Sequence, residues 1–341
     1  MNSRTYPGID VIRLSAALMV AAYHMGWWLW RFEPTPPRLT PFVFYGWVGV
    51  PIFFVISGFV IAMSAHGRDA VSFVKSRAAR LYPASWICAS IIMLARPLPL
   101  GAYLRTMVLF PIGPWVSGVY WTLAVETIFY SLVAFALWRK WDLTRVALCL
   151  GYYSSAFWLL RGINSFIGKP VDFNVIENNA GFLLLAHDGM YFAFGMLLYS
   201  GRHRLSAALF LLSGFVAVAT RSHAITTAGP FIVAPVVWLV AASLIILVVV
   251  GNARVAKILA PLPTRFLGLM TYPLYLIHLQ IGRLITLHFL DNRALAFVAS
   301  MGGAIAIAVA IVPVEARLRA SVFTRRMAKS ADATMQHASP P

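Results

Sequence analysis

The chain has 341 residues, of which 60% are hydrophobic and only 11% charged, and its mean hydropathy is +0.77. That excludes a soluble globular protein and leaves a polytopic membrane protein, with no soluble domain once the apolar runs are set aside. The net charge of +17 would point to nucleic acid in a soluble chain; here the membrane explains it, because such proteins gather Lys and Arg in their cytoplasmic segments, and no nucleic-acid partner is expected.

Ten apolar segments are expected to be membrane spans: about 11–30, 41–65, 84–96, 120–138, 146–161, 181–200, 205–220, 231–250, 266–285 and 294–312. The third is short, and Arg96 and the Pro-rich run after it end it early. Residues 98–119 read as an interfacial or re-entrant piece. With the N-terminus inside, 18 Lys and Arg fall on cytoplasmic segments and 8 on outer ones, leaving aside Arg13 and Arg283 within spans. That bias places both termini in the cytoplasm and requires an even number of spans. The fold class is therefore all-α: a membrane bundle over residues 1–314, with a basic tail over 315–341 that is disordered towards its end. A cleaved signal peptide is not expected, because the first apolar run is full length. Cys88 and Cys149 form neither a disulfide framework nor a metal spacing, and no metal site is expected. The longest polar outer loop is 162–180.

Ionisable groups inside apolar spans are costly and mark a site or a buried partner. The first span carries Asp10, Arg13 and His24. Arg13 and His24 are eleven residues apart, three helical turns plus about 20°, so they share a face with roughly 16 Å between them along the axis. Asp10 lies about 40° off that face, too far along the helix to touch His24, and is assigned to Arg13 and a neighbouring span. The histidine is suited to proton transfer near neutral pH; a structural hydrogen bond is the bland alternative. Next come Lys75, Arg77 and Arg80, ahead of the third span. Two arginines three apart are neighbours on a helix and suit phosphate oxygens, although positive-inside charge or contact with lipid headgroups explains them equally simply. Glu126 lies deep in the fourth span, within WTLAVETIFY, where a carboxylate must pair, protonate or act; its candidate partners are His24, Arg13 and the Tyr130 hydroxyl. In the ninth span Tyr272, Tyr275 and His278 step by three along a drifting face, a pattern that interface anchoring also produces. His187 and Asp188 receive no role.

Five motifs occur in order across residues 6–312: Asp10-x-x-Arg13 with ten residues between Arg13 and His24; GVPIFFVISGFVI (49–61); Arg77-x-x-Arg80-x-x-Pro83; Trp121-Thr122-Leu123-x-x-Glu126-x-x-Phe129-Tyr130; and the Thr-Tyr-x-Leu-Tyr-Leu-Ile-His block ending at His278. Together they resemble the membrane-bound acyltransferase-3 family. Pro273 departs from the pattern and is expected to kink its span. The resemblance implies a ten-span bundle in the inner (plasma) membrane. It also implies transfer of an acyl group, usually acetyl, from acetyl-CoA as co-substrate with no bound cofactor, to a hydroxyl of a surface or lipid-linked carbohydrate. No hydrolase-type domain follows the last span, which leaves room for a separate periplasmic transferase as partner. On this reading His24 is the general base or the first acyl carrier, Glu126 orients it, and Arg13 and Asp10 complete the catalytic stripe. Arg77, Arg80 and Lys75 hold the CoA phosphates. Tyr130, Trp121, Tyr272, Tyr275 and His278 surround the substrates. A proton-coupled transporter or flippase is the alternative that the intramembrane charges also allow; the absence of an inverted repeat weighs against it.

Overall fold

The computed structural model describes residues 5–30, 43–167, 184–225, 232–289 and 291–321. Among these there are twelve α-helices and no strand. They are α1 (Pro7–Trp30), α2 (Gly49–Ala65), α3 (Ala70–Ala95), α4 (Leu100–Met107), α5 (Trp121–Trp138), α6 (Leu143–Ile167), α7 (Gly189–Ser200), α8 (Arg204–Ile225), α9 (Val233–Val250), α10 (Asn252–Ile258), α11 (Thr264–Thr286) and α12 (Arg293–Arg319). Short 3₁₀ turns, Gly46–Val48 and Gly118–Tyr120, lead into α2 and α5.

Each of the ten expected segments contains a helix, and eight helices are long and apolar enough to cross a bilayer. The other two differ for separate reasons. Helix α7 has 12 residues, about 18 Å, which is short of a hydrocarbon core of about 30 Å. Helix α11 has 23 residues, long enough, but Arg265, Tyr272, Tyr275, His278, Gln280 and Arg283 dilute its apolar character.

Helix α3 corrects the reading of a short third span. It has 26 residues and begins at the Asp69 cap, whose carboxylate accepts the Ser72 N–H at 3.0 Å. Pro83 sits inside it, a position that membrane helices tolerate. Lys75, Arg77 and Arg80 therefore belong to the helix itself and not to a loop before it. The tail boundary also moves: α12 continues to Arg319, and Glu315 is a buried residue within it. Helix α11 is continuous through Pro273. The expected outer loop begins only after α6 ends at Ile167, and residues 168–183 lie outside the described ones, as do 322–341 of the tail.

Two packing groups meet in the bundle. In one, α2 lies against α7, and α7 against α6 and α8. A Cβ on Gly58 would run into the Phe192 carbonyl, and one on Gly195 into the Val55 carbonyl, so the two backbones touch in the small-residue manner of membrane helices. In the other group α11 lies against α1, α12 and α3. Ser300 joins α12 to α11 through the Thr286 hydroxyl at 2.9 Å and the Gly282 carbonyl at 3.0 Å. Helices α1 and α2 connect the groups, and α5 packs on α2 and α3. Large apolar side chains such as Leu94, Leu205 and Val250 point outward, where lipid is the natural solvent. Helix α4 lies on α3 with Leu100 and Leu104 exposed, in keeping with an interfacial piece.

His187 and Asp188 lie in a buried cluster between α6, α7 and α8. Asp188 pairs with Arg221 at 3.5 Å, and the guanidinium of Arg221 lies 5.1 Å from the centre of the Trp158 ring. The Trp158 indole donates to the His187 carbonyl at 2.9 Å.

Candidate active site

A cavity of about 460 Å³ opens between α1, α2, α3, α5, α11 and α12. Its walls on α2 run from Val50 to Ile61, eleven residues or about 16 Å along the bundle. The end nearest the start of α1 is cationic: Arg13 from α1, Arg77 and Arg80 from α3 and Arg319 from α12 all line it. Among the described lining residues Glu126 is the only carboxylate, so these residues carry a strong positive balance.

Each guanidinium is held by its own surroundings. Arg13 lies 3.6 Å from Asp10, whose carboxyl sits on Gly268 of α11, where any side chain would collide with it. Arg80 reaches Glu315 at 3.4 Å and lies 5.6 Å from the centre of the Tyr272 ring. Arg319 pairs with the same Glu315 one turn back. Arg77 contacts the Ser76 hydroxyl at 3.1 Å and lies 6.0 Å from the centre of the Phe73 ring. The Nε atoms of Arg77 and Arg319 are buried without a hydrogen-bond partner among the described residues. Buried N–H groups of a cation left in that state are costly and have donor capacity to offer an anion.

Glu126 stands midway along the cavity. Its Oε1 accepts from Tyr130 at 2.5 Å and from Ser57 at 2.6 Å. Tyr130 is thus one of the expected partners, and Ser57 is a partner that sequence reading did not identify. At the far end Thr122 meets the Tyr275 hydroxyl at 3.1 Å, and the Phe53 ring packs 5.3 Å from that of Tyr275. Tyr272 lines the cavity as well and donates to the Leu81 carbonyl at 3.2 Å.

The cavity ends at Tyr275, one turn short of His278. There the His24 Nδ1 lies 3.0 Å from the His278 Nε2. Glu126 has no part in this contact, and the reason is axial. From the Thr122–Tyr275 contact, Glu126 is four residues inward and His278 three outward, so roughly 10 Å separates them along the bundle. The imidazole of residue 24 thus meets a second imidazole, while the Glu126 carboxylate, expected beside it, is held by Tyr130 and Ser57. Lys75 also departs from expectation: it is exposed on the turn before Arg77 and does not line the cavity. Trp121 is half-buried against Phe54, 6.2 Å between ring centres, outside the lining. Arg319 and Glu315 were missed because their place at the end of the last span read as basic tail.

A family model described as an acyltransferase domain, of the acyltransferase-3 type, matches residues 6–312. Nodulation protein 10 of Rhizobium leguminosarum bv. viciae is 30% identical over 164 residues, which cover 39% of this chain and 45% of that protein. The similarity thus spans less than half of that relative's length. No solved structure matches. With nearly the whole chain matched and a helical membrane bundle around the cavity, the chain belongs to the membrane-bound acyltransferase-3 family and is an integral membrane protein.

Proposed function

We propose that the protein moves an acyl group, acetyl in the first instance, from cytoplasmic acyl-CoA to a hydroxyl of a surface or lipid-linked carbohydrate, working in the inner (plasma) membrane. One observation carries the reading: a cavity lined by four arginines at one end and by tyrosines beyond them stops a turn below an imidazole pair. CoA is a polyanion with a long neutral arm that ends in the reactive thioester. Guanidinium forks suit its phosphates, and the neutral, aromatic stretch beyond suits the arm. The positive-inside bias puts the arginine end on the cytoplasmic side, where acyl-CoA is made.

In this mechanism His24 takes the proton of the acceptor hydroxyl. The acceptor oxygen forms a bond to the thioester carbonyl carbon, the carbon–sulfur bond breaks, and the proton passes from the imidazole to the departing thiolate. Positioned general bases of this kind contribute about 10²–10⁴-fold to rate. Arg77, Arg80 and Arg319 grip the phosphates, with Glu315 fixing the last two. Arg13, braced by Asp10, and Glu126, braced by Ser57 and Tyr130, flank the arm.

The test is transfer from radiolabelled acetyl-CoA in membranes. His24→Ala is expected to lose at least about 10²-fold in kcat while the protein still inserts. A wild-type rate in that variant removes the base assignment. Arg77→Ala combined with Arg80→Ala is expected to raise the KM for acetyl-CoA by tenfold or more, and an unchanged KM removes the phosphate clamp. Movement of substrate across liposomes without any transfer would favour the transporter reading instead.

A further inference from the structure

His278 lies outside the cavity lining, and its neighbours determine which nitrogen carries hydrogen. Its Nδ1 is 2.7 Å from the Tyr275 carbonyl and 3.2 Å from the Leu274 carbonyl. Carbonyl oxygens only accept, so Nδ1 is the protonated atom. The residue is 1% exposed, and the hydrogen-bond partners described for it are those two carbonyls and His24, with no carboxylate among them. A second proton would place an uncompensated charge in apolar surroundings, so the ring is neutral and its Nε2 is a bare lone pair. That lone pair faces the His24 Nδ1 at 3.0 Å. An acceptor requires a donor opposite, so His24 carries its hydrogen on Nδ1, and its own lone pair is on Nε2.

We infer that His278 is a positioning residue that holds His24 in the Nδ1–H tautomer and so presents Nε2 as the base; this rests on the acyl-transfer reading above. A neutral imidazole here occupies the place that a carboxylate holds behind the histidine of a hydrolase triad. The backbone supports the arrangement. At Gly282, four residues after His278, the thioether end of Met25, the residue after His24, packs into the space beside the backbone. Helices α1 and α11 therefore approach closely at the level of the pair. During transfer, Nε2 of His24 gains the hydroxyl proton and returns it to the thiolate sulfur. His278 exchanges no proton, and its Nε2 accepts a charge-assisted hydrogen bond while His24 is cationic.

Two measurements test the pair. In the wild-type protein labelled with ¹⁵N-histidine, NMR is expected to show protonated Nδ1 and bare Nε2 on both His24 and His278, with coupling across the hydrogen bond between them. A His24 ring protonated on Nε2 overturns the proposal, and this readout needs no variant beyond those used for assignment. In steady-state kinetics with acetyl-CoA, His278→Ala is expected to lower kcat about 10²-fold and leave the KM for acetyl-CoA unchanged, because residue 278 does not line the cavity. His278→Gln, which restores an acceptor oxygen, is expected to recover at least tenfold of that loss. An inactive His24→Ala beside a fully active His278→Ala overturns the pair and leaves the acyl-transfer reading standing. A fully active His24→Ala overturns both.

Discussion

Arg80 divides its guanidinium between the Glu315 carboxylate at 3.4 Å and the face of Tyr272, and Arg319 shares the same carboxylate. One buried acid thus aims two cations into a single space, an arrangement in which the acid is not neutralised one for one and positive charge is left over for a ligand. Arg319→Ala is therefore expected to raise the KM for acetyl-CoA about five- to tenfold, a loss of roughly 1–1.4 kcal/mol of binding, with kcat unchanged. Lys75→Ala, on the exposed side of the same helix as Arg77, is expected to change neither; titration of acetyl-CoA against both variants checks the contrast. At this scale the legible residues were those whose chemistry is anomalous in an apolar run: Asp10, Arg13, His24, Glu126 and His278 all stood out. Their partners did not. The link between His24 and His278 joins residues 254 positions apart, and no local spacing encodes it. Ser57 gave no signal because a serine in a membrane helix is ordinary until a carboxylate is found 2.6 Å away. Lys75 presents the opposite case: its charge is plain in the sequence, but the helical register that leaves it exposed and outside the cavity lining is not.

Helix α3 carries the arginines because it starts at Asp69 and not after Pro83. A reading based on apolar runs ends a span wherever charge begins. A helix has no such limit, so its first turns can leave the apolar layer and carry cations while the rest remains buried. The same applies to α12, which extends past Glu315 to Arg319. Elements defined by apolarity alone, such as α2 and α9, were found where expected. The close seam between α2 and α7 was not anticipated, because glycine in a span has many uses. It yields a prediction at this scale. Replacing Gly58 or Gly195 with Val is expected to force the two helices apart and destabilise the protein by about 1–3 kcal/mol or more, read as a lower unfolding midpoint in detergent. Gly162, with no atom near its Cβ position, is the control and is expected to tolerate Val with little change.

Across the whole molecule the arrangement is directional. The arginines, Glu126, Tyr275 and the imidazole pair follow one another along the bundle from the start of α1 outward. A donor can then enter from one face and an acceptor arrive at the other without either crossing the bilayer. On the proposed topology, which rests on the bias of Lys and Arg in the sequence, the arginine end faces the cytoplasm. In a variant lacking Cys88 and Cys149, a cysteine at position 75 is expected to react with an impermeant thiol reagent in inside-out vesicles and not in right-side-out ones; the opposite result would turn the bundle over. The most direct test of the central claim is single-turnover transfer from radiolabelled acetyl-CoA by purified wild-type and His24→Ala protein in liposomes, with bound acetyl-CoA measured in the same samples. The account predicts that the variant binds acetyl-CoA as the wild type does and transfers it at least about 10²-fold more slowly; transfer at the wild-type rate by the variant would contradict it.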